Sequence, residues 1–384
     1  MNDKRRLLYY ESTAFYPSTA HFLEAARDLA RGGGWLTEFF DEARFVAGTP
    51  SLAGRIATRI RGGRPPGIRA LNRELLVRAR AFAPAVVLIG KGRYLAPATL
   101  AAIKAASGAR LINWATDDPF NPANGSAELR SAIPLYDLYV STKRAIVPAL
   151  RAAGARQVIY QRFGYKPAAH YPQAPMTPAE RARFVCDVAF VGGADADRVP
   201  YFEHLVRELP GVKLNLYGNY WNRSAVLAPY WRGRADGRGY RLALGGAAIA
   251  VNLLRRANHD DHVMRTFELP ACGAFMLAER SDSHRELFAE GREAAFFATP
   301  DELTAQVRHY LPRAAERARI AAAGRRRVLT GSHSYNDRLH EILCAAGQII
   351  AAGADGAGLA DCIGLPDSAK DCLGRTPRRS ALRS

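Results

Sequence analysis

The chain alternates short apolar runs with stretches in which apolar residues recur every three or four positions. "LLYYES" reads as a first strand and "STAHFLEAARDLA" as an amphipathic helix stopped by Gly32, Gly33 and Gly34. "WLTEFF" reads as a second strand. "ALNRELLVRARAFAP" is a helical pattern leading into "AVVLIG", a continuous apolar run of the kind buried on both faces of a parallel sheet. "PATLAAIKAAS" predicts a helix, "ARLINWATDDP" a strand with a polar exit, and "DLYVST", "AIVPALRAAG" and "QVIYQRFG" continue the alternation. This order predicts a parallel, doubly wound α/β sheet.

"YKPAAHYPQAPMTPAER" is rich in Pro and aperiodic, so residues 166–180 are expected to link two domains, 1–165 and 181–352. A second series comes after it. "DVAFVGG", "VKLNLYG", "AIAVNLL", "AFMLAE" and "EAAFF" read as strands, and "YFEHLVREL", "TFELPAC", "SHRELFAE", "PDELTAQVRHYL" and residues 313–352 as helices. The basic Gly/Pro stretch 59–69 is expected to be a mobile loop, and 353–384 a mostly disordered tail.

Composition narrows the partners. The chain has 384 residues, 48% of them apolar, enough for two cores. Lys and Arg number 54 against 36 for Asp and Glu, a net charge of +18. That excess favours nucleotides, nucleic acid or an acidic membrane face, with a solvated basic surface as the alternative. No RNA- or DNA-binding motif is present, which argues against nucleic acid. Five cysteines without a C-x-x-C pair suit neither a disulfide framework nor a zinc site. Glu11 interrupts the only apolar run near the start, and the longest apolar runs are too short to span a bilayer. A cytoplasmic location is expected, with peripheral contact at the inner membrane face through 59–69 left open.

Ligands of doubly wound sheets bind beyond the carboxyl ends of the strands, so candidate residues should follow strands. In "TFELPAC", Thr266 can cap a short helix whose N-terminus suits a diphosphate. Beside it, Glu268 can accept hydrogen bonds from vicinal ribose hydroxyls, or simply stabilise the helix dipole. Arg255, Arg256 and Arg265 offer planar forks for phosphate oxygens, or solvated charge. Asn258, Asp260 and His262 share their polar loop, which is longer than a turn needs. Gly192 and Gly193 let backbone approach a ligand, although neither a complete G-x-G-x-x-G nor a phosphate loop is present. Asp117 and Asp118, in "NWATDDPF", could serve as general base, metal ligand, sugar-hydroxyl acceptor or plain turn. "YGNYW" could stack on a ring or pack in the core.

The segment 248–311 resembles the CgeB-like glycosyltransferases through its Arg-Thr-Phe-Glu-Leu-Pro-Ala core (265–271), the "GAFML" strand and the later "FFATPDEL". The resemblance implies a GT-B fold: two Rossmann-like domains facing a central cleft, acceptor on the N-terminal side and nucleotide-sugar on the C-terminal side. Related retaining enzymes carry an E-x7-E motif. Matching "ELPACG" to it places the second Glu, which binds the donor ribose, at Glu268, and the first at Asp260, an acid but not a Glu. The resemblance thus implies a metal-independent, retaining transfer of a sugar from a UDP- or GDP-linked donor to a hydroxyl of a glycan, lipid or protein, with no bound cofactor. An inverting route would need a base, Asp118 or Asp117. The rival readings are a non-catalytic basic binding protein on the same scaffold and a nucleotide-sugar epimerase.

Overall fold

The computed structural model describes residues 4–13, 17–46, 65–173 and 176–352. Six strands, β1 (Arg5–Glu11), β2 (Trp35–Asp41), β3 (Val86–Gly90), β4 (Arg110–Ala115), β5 (Leu138–Ser141) and β6 (Val158–Tyr160), form a parallel sheet in the order β2-β1-β3-β4-β5-β6. Five more, β7 (Cys186–Val191), β8 (Leu214–Tyr217), β9 (Ala247–Asn252), β10 (Met276–Glu279) and β11 (Ala295–Phe297), form a second parallel sheet in the order β11-β10-β9-β7-β8. The run predicted as doubly buried, Val86–Gly90, is buried at every position and sits between β1 and β4. Helices cover both faces, which is what lets a parallel sheet be apolar on both sides.

Each sheet changes winding direction once. The first goes from β1 outward to β2, then returns to β3 and proceeds the other way. The second goes from β7 to β8, then returns to β9. Connections leave in opposite directions at β1/β3 and at β7/β9, which opens a crevice beyond the carboxyl ends there.

The last helix, Tyr335–Ala352, grouped with the second domain by its position in the chain, covers the first sheet instead. Tyr335 packs edge-on against Phe22, with ring centroids 5.1 Å apart, and against Trp114 at 6.4 Å. The chain returns by crossing itself where Tyr165 and Ser334 form a backbone bridge. Gly164 permits the crossing, because a Cβ there would stand 2.7 Å from the His333 carbonyl oxygen.

Two helices near the cleft have no counterpart in the sequence-based expectation. Pro178–Phe184 begins in what reads as linker, started by a capping box between Thr177 and Glu180. Arg238–Gly246 follows an irregular segment of glycines and 3-10 turns, where no periodicity marks it. The helix Ile68–Phe82 begins inside the stretch expected to be a loop. Residues 59–64 and the tail 353–384 lie outside the described residues. Among the described residues no helix is long and apolar enough to cross a membrane.

A Gly164→Ala substitution is expected to destabilise the protein by about 1–3 kcal/mol, because the contact is with backbone and cannot be relieved by a rotamer change. The shift of the denaturant midpoint measures it; an unchanged midpoint would show that the crossing relaxes freely.

Candidate active site

A cavity of about 790 Å³ lies between the two sheets, lined mostly by residues that follow strands. From the first sheet come Lys91 after β3, Thr116 and Asp117 after β4, Lys143 after β5 and Phe163 after β6. From the second come the Gly192–Asp195 turn after β7, Gly218 to Tyr220 after β8, and several residues between Arg255 and Glu268 after β9. The turns after β7 and β8 touch: a Cβ on Gly218, whose φ is +121°, would stand 2.5 Å from the Gly192 carbonyl oxygen.

Glu268 lines the cavity at 6% exposure. Tyr240, on the helix Arg238–Gly246, donates its hydroxyl to Glu268 Oε2 at 2.8 Å. His170 Nε2 stands 3.6 Å from Oε1. His170 Nδ1 accepts the Lys166 N–H at 3.0 Å, so the ring proton sits on Nε2, facing the carboxylate. Burial, with Lys166 and Arg241 nearby, lowers the His170 pKa to about 4, and the ring is neutral. Burial and the adjacent Glu268 charge push the Tyr240 hydroxyl well above its usual range, so it stays a donor.

Thr266 does not cap the helix. Arg265–Ala271 starts one residue earlier, and the Thr266 hydroxyl contacts Val263 N–H, Asn252 and His284 in the interior. The N–H groups of Thr266 and Phe267 close turns on Val263 and Met264. Two of the anion-facing donors expected at this helix start are therefore spent locally.

The arginines divide. Arg265 is half-buried and lines the cavity, but its two terminal nitrogens donate to the carbonyls of Val191 and Leu253, at 3.1 and 2.9 Å, at the ends of β7 and β9. It brings charge to the site rather than a free fork. Burial lowers its pKa, with Tyr240 and Glu268 opposing. Arg255 lines the cavity, half exposed, with Nε 3.8 Å from Asp195. Arg256 does not line it; it turns to Glu279 and the Tyr201 hydroxyl, each at 3.2 Å. Arg198, not singled out from the sequence, lines the cavity beside Arg265, its NH1 donating to the Gly193 carbonyl at 3.1 Å. Burial and the neighbouring Arg265 charge lower its pKa to about 10, which leaves it charged at neutral pH.

The polar loop after β9 is a joint between the halves. His262 is fully buried outside the cavity lining; its Nε2 accepts the Phe163 N–H at 3.0 Å and Nδ1 faces Asp261 at 2.8 Å. Asp260 pairs with the buried Lys143 of the first half. Asn258 contacts Asp117, Asp118 and Asn124. Asp117 lines the cavity but is ion-paired with Lys91 at 2.5 Å. Burial works to raise its pKa, yet Lys91, Lys143 and Asn258 together hold it below the usual carboxylate range. Asp118 sits behind the main cavity, accepting from Phe120 N–H at 2.8 Å and facing His259 at 3.1 Å. That is turn and interface chemistry.

Comparison with known proteins adds three findings. Residues 198–344 match the family described as "Glycosyl transferase-like". No curated protein sequence matches the chain. Solved structures match nearly end to end at low identity. Sucrose-phosphate synthase from Thermosynechococcus elongatus is similar with a TM-score of 0.63 at 12% identity, over 91% of this chain and 100% of that one. A glycosyltransferase from Rickettsia africae gives 0.62 at 13%, over 91% and 99%. HepE from Anabaena in complex with UDP-glucose gives 0.60 at 13%, over 88% and 99%. The fold is the two-sheet α/β arrangement of GT-B glycosyltransferases. Together with the family match over residues 198–344, it supports a glycosyltransferase.

The histidines give a test of how deeply the site is buried. Burial lowers the pKa of His284 to about 4, as it does for His170. The unfolded chain takes up these protons near pH 6.5 and the folded one does not. Their contribution to stability is therefore full above that pH and drains as pH falls toward 4. Ring NMR signals of both are expected to stay in the neutral form at pH 5.5; titration near the ordinary value would refute the burial.

Proposed function

We propose that the protein transfers a sugar from a UDP- or GDP-linked donor to a hydroxyl of a glycan, lipid or protein, without a metal and with retention of configuration. The observation that carries this reading is Glu268: a buried carboxylate facing the cavity at the β7/β9 crevice, steadied by Tyr240 and His170. Ribose hydroxyls are donors, and a carboxylate is an acceptor-only group with capacity for several hydrogen bonds. Arg198, Arg255 and Arg265 set positive charge along the same edge, where a departing diphosphate gains negative charge. The glycine turn at Gly192 and Gly193 leaves backbone room beside them. These groups take the neutralising part that a metal plays elsewhere. The UDP-glucose in the HepE complex supports a uridine nucleotide as the first donor to test.

The engaged state of the first-half carboxylates supports retention. Asp117 is held by Lys91 and Asp118 by its turn, so neither is poised to take an acceptor proton. In a retaining route the departing phosphate helps with that proton. The pattern across 248–311 supports a place near the CgeB-like enzymes within the class.

Thermal unfolding with UDP, GDP and their sugar conjugates tests the site. One nucleotide at about a hundredfold over its Kd should stabilise the wild type by about 2.7 kcal/mol. Glu268→Ala should lose most of that gain. A wild type that no nucleotide stabilises would sink the donor-site reading.

A further inference from the structure

Asn258 lies in a loop of the second half, yet most of its side-chain bonds reach the first. Its Nδ2 donates to Asp117 Oδ1 and to Asp260 Oδ1, both at 3.1 Å. Its Oδ1 accepts from the Asp118 N–H and from Asn124 Nδ2, both at 3.1 Å. A primary amide offers two donors and two acceptor sites, and all are used. The orientation is not interchangeable: turning the amide over would aim its oxygen at two carboxylates and its NH2 at two donors. The ladder continues at both ends, since Asp117 pairs with Lys91 and Asp260 with Lys143. Lys91, Asp117, Asn258, Asp260 and Lys143 all line the cavity.

We propose that Asn258 is a positioning residue that sets the register of the two halves of the cleft, and so holds the Lys143 ammonium of the first half against the donor face of the second. This rests on the donor reading of Glu268. Transfer requires groups from both halves around one reacting bond, and a misplacement of about 1 Å can cost about a hundredfold in rate. The groups assigned to the nucleotide, Glu268, Tyr240, Arg198, Arg255 and Arg265, all belong to the second half, and only Arg255, about half exposed, adjoins the loop of Asn258. Register and nucleotide affinity are therefore separable.

The full chain is compared with Asn258→Asp and Asn258→Leu. Asn258→Asp keeps the shape but removes both donors and sets a negative charge beside Asp117 and Asp260; Asn258→Leu removes the polar contacts without adding charge. Three quantities are measured: UDP affinity by calorimetry, UDP release from UDP-glucose with water as acceptor, and amide hydrogen exchange across both sheets. In both variants affinity should stay within about twofold while release falls about a hundredfold, a loss in kcat rather than in binding. Exchange should rise over 117–124 and 257–262 and not in the strands. Unchanged exchange in those segments overturns the proposal, as does a rise spread evenly through both sheets, which would mean lost fold rather than lost register. A parallel fall of affinity and release also overturns it. A wild type that neither binds UDP nor releases it defeats the donor reading instead, and the exchange pattern still decides the register.

Discussion

Parallel strands put all their carboxyl ends on one edge of a sheet, and that constraint organises the whole molecule. Both sheets are parallel throughout, and each reverses its winding once, at β1/β3 and at β7/β9. Loops leaving such an edge converge near the reversal, where the helices diverge and leave space. Facing the two edges toward each other turns two shallow crevices into one shared cavity. The return of the helix Tyr335–Ala352 to the first sheet keeps them facing, through aromatic packing of Tyr335 on Phe22 and Trp114 and the chain crossing at Gly164. The position of Glu268 follows from its place beyond β9, as that of Asp117 follows from its place beyond β4.

The cavity is dense in charge, and almost every charge has a fixed partner. Lys91 holds Asp117, Lys143 holds Asp260, and Arg265 ties the ends of β7 and β9 through two carbonyls. Buried charges are costly unless paired, and once paired they resist displacement. Such pairing leaves the cleft with preset fields rather than flexible side chains, the condition under which electrostatic stabilisation of a leaving group is most effective. It also removes candidates. A carboxylate already committed to a lysine or a turn is a poor proton acceptor, so under the proposed function the chemistry falls to groups that present charge without needing to move.

The architecture was legible in the chain because its cues are local. Alternating apolar runs and helical periodicities announced every strand of both sheets, and Glu268, Arg255, Arg265, Gly192 and Gly193, expected at the site because they follow strands, line the cavity. Asp117 lines it by the same rule. The local cue failed where regular patterning lapsed. Tyr240 and His170, the groups that steady Glu268, come from an irregular stretch and from a Pro-rich segment read as linker. A capping box at Thr177 was the one signal of a helix inside that linker. Lys143 and Arg198 look in sequence like any other basic residues; burial and facing charges, which are contacts across the chain, make them part of the cleft. The same holds in reverse for Arg256, His262, Thr266 and Asp118, whose side chains the tertiary packing turns into structural ties. Periodicity and strand-end position, properties of neighbours along the chain, determined the fold and the edge where the site must lie. Which charges face the cavity and which hold the two halves together was decided only in three dimensions, because that depends on partners more than a hundred residues away, as Asn258 and Asp117 are.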